Sequence, residues 1–127
     1  KDRDFDLARK YLPDSWVVVK ITKNKDLDSE EILYKIFCSE NGGFMAGSSW
    51  RLNSGIAKVE NKDSLYFITG YSGSIYICSK SNYGTYGMTE YAVDVLNYIL
   101  QRLNNKSSRC GNTYSAEMLE SIPEWFN

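Results

Sequence analysis

The stretch that decides the fold is residues 16–23, Trp-Val-Val-Val-Lys-Ile-Thr-Lys, which is rich in β-branched side chains. Such residues favour the extended backbone of a strand. Apolar side chains recur at every second position, at Val17, Val19 and Ile21, and a period of two is typical of a strand with one buried face. We therefore predict a strand with one buried face over these eight residues.

Further apolar runs follow, separated by turns rich in glycine, asparagine and serine. Gly55 interrupts the run from about Trp50 to Val59, which indicates a bulge or the close approach of another group. The turn at residues 70–74 lies between two closely spaced runs and predicts a hairpin. The charged stretch at residues 24–31 is predicted to be a loop. The predicted strands after the first are residues 32–38, 50–59, 65–69 and 75–79.

Helical periodicity appears at three places in the chain. Residues 89–103 carry Ala92, Leu96, Ile99 and Leu103 on one stripe, which predicts a long helix that packs on an apolar surface. A short N-terminal helix is predicted over residues 4–12, where Pro13 stops the run, and another over Tyr114–Ile122 with Ser115 as its cap.

Together these elements predict a single domain of the α+β class over residues 1–127. Its architecture would be an antiparallel meander sheet of about five strands, with the long C-terminal helix packed on one face and the short N-terminal helix beside it. The tail, residues 104–127, is predicted to be partly loose or folded back on the body through Trp125 and Phe126.

The chain of 127 residues contains no histidine. Histidine is the most frequent general base near neutral pH and the commonest metal ligand, so its absence excludes histidine-containing catalytic triads and zinc sites. Glu90 and Asp94 share a helical face but supply too few oxygen ligands for a hard cation. We therefore predict no metal, no cofactor and no catalytic residues of a recognisable kind. An enzyme built on carboxylate, lysine or tyrosine remains open, although the sequence favours a protein that is not an enzyme.

The charges are nearly balanced, with 15 basic and 16 acidic residues and a net charge of -1. This balance disfavours direct binding of nucleic acid, which depends on neutralising phosphates. No apolar run approaches the ~20 residues that span a bilayer, and the first residues are charged rather than those of a signal segment. Cys38, Cys78 and Cys110 form no Cys-x-x-Cys pair and fit free, inert thiols. We expect a cytoplasmic protein without membrane contact.

Small and aromatic residues cluster in the segments 47–55, 70–74 and 83–87. Aromatic rings, a guanidinium and small polar groups are the components of a small-ligand or peptide site. The competing interpretation is that the glycines and serines form turns and the tyrosines cover the sheet. The predicted partner-binding or ligand-binding residues are Trp50, Arg51, Asn53, Tyr71, Ser72, Tyr83 and Tyr86.

Trp50 and Arg51 are neighbours on a predicted strand, where successive side chains point to opposite faces. We therefore do not expect them to form one site together. Tyr91 and Tyr98 lie seven residues apart on one flank of the long helix, which suits either packing against the sheet or an exposed partner-binding face. With 10 tyrosines in the chain, protein contact is one explanation and the β-propensity of tyrosine is the other.

The runs Ser-Trp-Arg-Leu-Asn-Ser-Gly-Ile at residues 49–56 and Gly-Tyr-Ser-Gly-Ser-Ile-Tyr-Ile-Cys at residues 70–78 resemble a pattern in small uncharacterised proteins of phages, prophages and bacterial mobile elements. The resemblance covers residues 32–87 and supplies no catalytic residues. It implies a small accessory protein of the kind that binds and blocks a host factor, which includes anti-CRISPR and other anti-defence proteins.

The leading hypothesis is therefore a non-enzymatic binding protein that inhibits a host defence complex in the cytoplasm of the host cell. Its partner would be a protein. The alternative is a small-molecule or nucleotide-binding module, a sensor or sponge, in which Arg51 holds a phosphate and Trp50 or a tyrosine stacks on the base.

Overall fold

The computed structural model of the protein describes residues 8–26, 29–41, 48–105 and 113–127. Within these ranges the chain forms eight strands and one α-helix, and the strands make two four-stranded sheets. The elements are β1 (Lys10–Tyr11), β2 (Ser15–Asp26), β3 (Ser29–Asn41), β4 (Ser48–Leu52), β5 (Ile56–Lys62), β6 (Leu65–Gly70), β7 (Ile75–Ser79), α1 (Glu90–Asn104) and β8 (Thr113–Met118).

The two sheets pack face to face, and α1 covers the outer face of one of them. The first sheet has the strand order β1-β7-β6-β5, and the second has the order β4-β3-β2-β8. Described neighbours pair antiparallel, except that β1 runs parallel to β7. The second sheet is therefore the middle layer of three.

Strand β2 is buried on both faces. Trp16 and Val18 pack toward the first sheet, whereas Val17 and Val19 pack under α1. All four side chains are fully buried. The predicted strand is confirmed, but its second face is also part of the core, which explains why valine occupies three positions in succession.

Trp16 connects the two sheets. Its indole Nε1 donates a hydrogen bond of 2.8 Å to the carbonyl of Ser79 in β7. The ring meets Tyr83 edge-on at 4.8 Å between centroids and stacks on Phe126 at 6.0 Å. Phe126 itself is buried, so the end of the chain packs into the core between the sheets.

The chain passes from the second sheet to the first through residues 53–55. The Asn53 carboxamide accepts a hydrogen bond of 2.8 Å from the Ile36 N–H and donates one of 3.2 Å to the Gly55 carbonyl. Gly55 has a φ of 138°, and a β-carbon there would lie 2.4 Å from the Tyr71 ring. This corner therefore requires glycine both for its backbone and for its space.

Helix α1 is fixed at both ends. The Thr89 hydroxyl caps its first turn by accepting a hydrogen bond of 3.2 Å from the Ala92 N–H. At the other end, the Asn104 side chain makes hydrogen bonds of 3.0 and 2.8 Å to the backbone of Ala116 in β8. The helix therefore has a fixed position over the sheet.

The predicted architecture, one five-stranded meander with a short N-terminal helix, is wrong. The described strands form two sheets, and the strand predicted over residues 50–59 is divided between them because Asn53 and Gly55 turn the chain. Lys10–Tyr11 is a strand and not helix, while residues 4–7 of the predicted helix lie outside the described ranges.

The predicted last helix and the predicted charged loop are also wrong. Thr113–Met118 is a strand because it pairs with β2, which overrides its weak local preference for helix. Most of residues 24–31 belongs to the extended ends of β2 and β3. The hairpin at residues 65–79 and the long helix are confirmed. Of the two residues predicted to fold back on the body, Phe126 is buried and Trp125 is 51% exposed.

Candidate functional site

An open cleft of 680 Å³ lies between the C-terminal half of α1 and the second sheet. Ile21 and Leu52 form the sheet side of its apolar floor, and Ile99 and Leu103 form the helix side. The volume falls within the range of about 300–1,000 Å³ found for ligand pockets. The cleft arises because the N-terminal half of the helix packs closely on the sheet, whereas Ile99 and Leu103 are only half-buried.

Two cationic side chains line this cleft, one on each wall. Lys35 lies in β3 beside Val19, on the face of the sheet that α1 covers, and Arg102 lies in the last turn of α1. The described lining residues include no carboxylate. No acidic side chain in the described ranges lies within salt-bridge distance of either cation. The cleft therefore combines an apolar floor with a positive rim that no carboxylate of the described residues neutralises.

One exposed aromatic ring, that of Tyr98, lines the cleft, and two others lie on the elements that form its walls. Tyr98 is 59% exposed and lies 5.9 Å from the Arg102 guanidinium, measured to the ring centroid. Tyr91 is equally exposed on the same flank of the helix. Trp50 shares one face of β4 with Leu52, stacks on Phe37 at 5.8 Å and keeps 38% of its surface exposed. Tyr91 and Tyr98 are therefore exposed on the surface of the helix and are not packed against the sheet.

Trp50 and Arg51 point to opposite sides of the second sheet, as the alternation along a strand predicts. Trp50 lies on the side of α1, whereas the Arg51 guanidinium stacks over the Tyr11 ring at 4.1 Å, on the side of the first sheet. A phosphate on Arg51 and a base on Trp50 would therefore lie on different faces of the sheet.

Three of the predicted site residues make hydrogen bonds within the fold. Asn53 is 5% exposed and uses its carboxamide at the corner between the sheets. The Tyr83 hydroxyl accepts a hydrogen bond of 3.0 Å from the Val18 N–H and donates one of 2.6 Å to the Leu119 carbonyl. The Ser72 N–H donates a hydrogen bond of 3.0 Å to the Ser54 hydroxyl.

The two remaining predicted residues lie apart from the cleft floor. Tyr71 is 63% exposed, and its ring packs over Gly55. A β-carbon added to Gly55 would lie 3.0 Å from the Leu33 side chain, so Tyr71 sits beside Leu33. Tyr86 is fully exposed and borders a second cleft of 620 Å³, whose lining is mainly hydroxyl, amide and carboxylate groups. The predicted residues therefore do not converge on one site.

The sequence missed the cations of the cleft. One signal was present, because Lys35 interrupts the apolar face that Leu33 and Phe37 define along β3. A cation in that position is either solvated or part of a site. Arg102 follows Tyr98 by one helical turn, so both lie on the flank that the tyrosine spacing had indicated.

The described thiols are buried. Burial raises the pKa of Cys38 to about 12 and that of Cys78 well above its ordinary value. A protonated thiol is a poor nucleophile and a poor metal ligand. No group of three or more histidine, cysteine, aspartate or glutamate residues in the described ranges could hold a metal ion. Cys110 lies outside these ranges.

Because the pKa values of the buried thiols are raised, we expect the free energy of unfolding to fall at alkaline pH. Above pH 9.0, the ordinary pKa, the unfolded chain loses the Cys38 proton while the folded chain keeps it until about pH 12. The unfolded state then binds fewer protons, so the free energy of unfolding falls by about 1.4 kcal/mol per pH unit for each buried thiol. Urea denaturation at a series of pH values measures this slope. A Cys38→Ala variant should show a shallower slope, and an equal one would contradict the assignment.

Comparison with protein-family models, curated proteins and solved structures finds no match to this chain. The described residues form two packed β-sheets and a covering helix, which carry an apolar cleft with a cationic rim. Searched over its described residues, the chain contains no helix with both the length and the apolar character needed to cross a membrane.

Proposed function

We propose that this protein is a non-catalytic binding protein that contacts a protein partner through the cleft surface, defined as Lys35, Leu52, Tyr98, Ile99 and Arg102. The observation that carries the proposal is an apolar cleft with two cations that no described carboxylate neutralises. Tyrosine and arginine are among the residues that contribute most binding energy at protein interfaces. Here both are exposed, next to half-buried aliphatic side chains.

A binding role is supported over catalysis by the chemistry of the cleft. Lys35 and Arg102 have no carboxylate or thiol beside them among the described lining residues, where Tyr98 is the one other ionisable group. The described thiols are buried and protonated, and the Tyr83 hydroxyl is engaged with the backbone. These groups do not form a nucleophile and base pair of the kind that covalent or acid-base catalysis requires.

The proposed partner is a defence complex of a bacterial host, and the protein would act as its inhibitor in the host cytoplasm. The support for this partner is the resemblance of residues 32–87 to small proteins of phages and mobile elements. The nucleotide-binding alternative has less support, because Arg51 and Trp50 lie on opposite faces of the sheet.

The test is a titration of the protein against a panel of purified bacterial defence complexes, including RNA-guided nucleases. Light scattering measures binding, and the rate of target cleavage measures inhibition. Tyr98→Ala and Arg102→Ala are each expected to weaken binding about tenfold or more, as the loss of an interface hot spot does. Because both side chains are exposed, the free energy of unfolding should change by less than about 0.5 kcal/mol.

Tyr86→Ala is the matched control, since it removes a tyrosine that is more exposed and lines the other cleft. It should leave binding unchanged. If Tyr86→Ala weakens the complex and Tyr98→Ala does not, the partner uses the other cleft. If no member of the panel binds, the proposed function is wrong.

A further inference from the structure

The apolar floor of the cleft is open to an incoming side chain. Ile99 and Leu103 are half-buried in the helix, and Leu52 is half-buried in the edge strand of the second sheet. Covering such surface releases about 25 cal/mol for each Å² removed from water. An aliphatic or aromatic side chain is therefore a better occupant of the floor than water.

Lys35 and Arg102 determine which residues can flank the apolar side chain that enters the cleft. Lys35 lies on the sheet wall and Arg102 on the helix wall, so a group that fills the cleft lies between them. Carboxylates beside the apolar side chain would meet a cation on each wall, and the guanidinium can bind a carboxylate through two parallel hydrogen bonds. A basic segment would be repelled from both walls.

The openness of the cleft favours a protein segment over a small molecule. Pockets for small molecules bury about 70–90% or more of their ligand. Here Tyr98 and Arg102 are exposed along the rim, so the cleft covers one side of its occupant and leaves the other in solvent. This geometry suits one or two side chains of a longer chain.

We propose that the cleft surface binds an acidic segment of the partner, in which an apolar side chain enters between Leu52 and Ile99 while flanking carboxylates pair with Lys35 and Arg102. This inference rests on the proposed function and specifies the chemistry that the partner must present. It does not depend on which defence complex the partner belongs to.

The probes are three short synthetic peptides. In the first, glutamate alternates with leucine; in the second, lysine replaces glutamate; in the third, serine replaces leucine. The first peptide is expected to bind and to shift the backbone amide resonances of Leu52, Ile99 and Arg102. The other two should bind about tenfold more weakly or not at all, since the lysine peptide loses both charge contacts and the serine peptide loses the apolar contact.

The double variant Lys35→Glu with Arg102→Glu leaves the apolar floor of the cleft unchanged and reverses the charge of its rim from positive to negative. It should prefer the lysine peptide to the glutamate peptide, and circular dichroism should show an unchanged fold. High salt should reduce the preference of both proteins, because exposed charges are screened. If the double variant still prefers the glutamate peptide, Lys35 and Arg102 do not select the peptide by its charge, and the inference is wrong.

Dodecanoate, a small amphipathic anion, is the competing ligand. If dodecanoate shifts the same resonances and the glutamate peptide does not, the occupant is a small molecule and the segment is wrongly assigned. If Tyr98→Ala weakens a defence complex but no peptide binds, the proposed function stands without this inference. If the glutamate peptide binds and no complex does, the chemistry of the cleft stands and the proposed partner is wrong.

Discussion

Replacement of Trp16 with alanine is expected to lower the free energy of unfolding by about 3–5 kcal/mol, the range for removal of a buried tryptophan or phenylalanine ring. Trp16 is fully buried between the sheets and contacts rings from three other parts of the chain, at Tyr66, Tyr83 and Phe126. Its loss leaves a cavity where the two sheets meet and removes the donor to the Ser79 carbonyl.

Chemical denaturation followed by far-ultraviolet circular dichroism measures the effect. Trp16→Phe is the control that keeps an aromatic ring in the core while it removes the hydrogen bond, and we expect it to cost about 1–3 kcal/mol. It also keeps the experiment informative if the alanine variant does not fold. A loss below about 1 kcal/mol for Trp16→Ala would show that this ring does not hold the sheets together.

Replacement of Asn53 with alanine is expected to lower the free energy of unfolding by about 1–3 kcal/mol. Its carboxamide satisfies the Ile36 N–H and the Gly55 carbonyl in the corner between the sheets, where water does not replace it because the residue is buried. A buried backbone group left without a partner costs about 1–3 kcal/mol. This substitution leaves the Ile36 N–H unpaired, whereas the Gly55 carbonyl keeps the hydrogen bond of 3.1 Å that it accepts from the Tyr71 N–H. We therefore expect the corner to open and β5 to lose its fixed position against β3.

The matched control is Asn61→Ala, which removes an exposed asparagine that bonds to the Asn127 side chain. It is expected to cost less than about 1 kcal/mol, as exposed hydrogen bonds exchange readily with water. Hydrogen exchange at the Ile36 amide gives a local readout and should accelerate in the Asn53 variant alone. If the two substitutions lower the free energy of unfolding equally, the buried hydrogen bonds of Asn53 contribute no more to stability than the exposed bond of Asn61.

Local sequence patterns identified some elements and not others. The strand at residues 16–23, the hairpin at residues 65–79 and the helix at residues 89–103 have strong periodicities of their own, so they could be found without any tertiary information. Strand β8 could not, because Thr113–Met118 adopts its conformation by pairing with β2. The division between β4 and β5 depends on Asn53, whose side chain bonds to a strand that is distant in sequence.

The site was only partly predictable for a related reason. The spacing of Tyr91 and Tyr98 indicated the flank of the helix on which Tyr98 and Arg102 line the cleft. Lys35 and Arg102 come together only when the helix crosses the sheet, and their proximity is a property of packing that neither local pattern contains. Conversely, Asn53 and Tyr83 have the chemistry of binding residues, but both are hydrogen-bonded inside the fold.

The pairing of β2 with β8 also determines when the protein can acquire its structure during synthesis. Val19 pairs with Met118, and Trp16 packs on Phe126, so the central strand gains partners that are translated much later. Until those residues leave the ribosome, one edge of β2 and part of its core have no cover. Contacts that span so much of the chain also slow the search for the native state. A partly folded chain in which residues 113–126 have not yet docked therefore exposes an unpaired edge of β2, and unpaired strand edges favour aggregation.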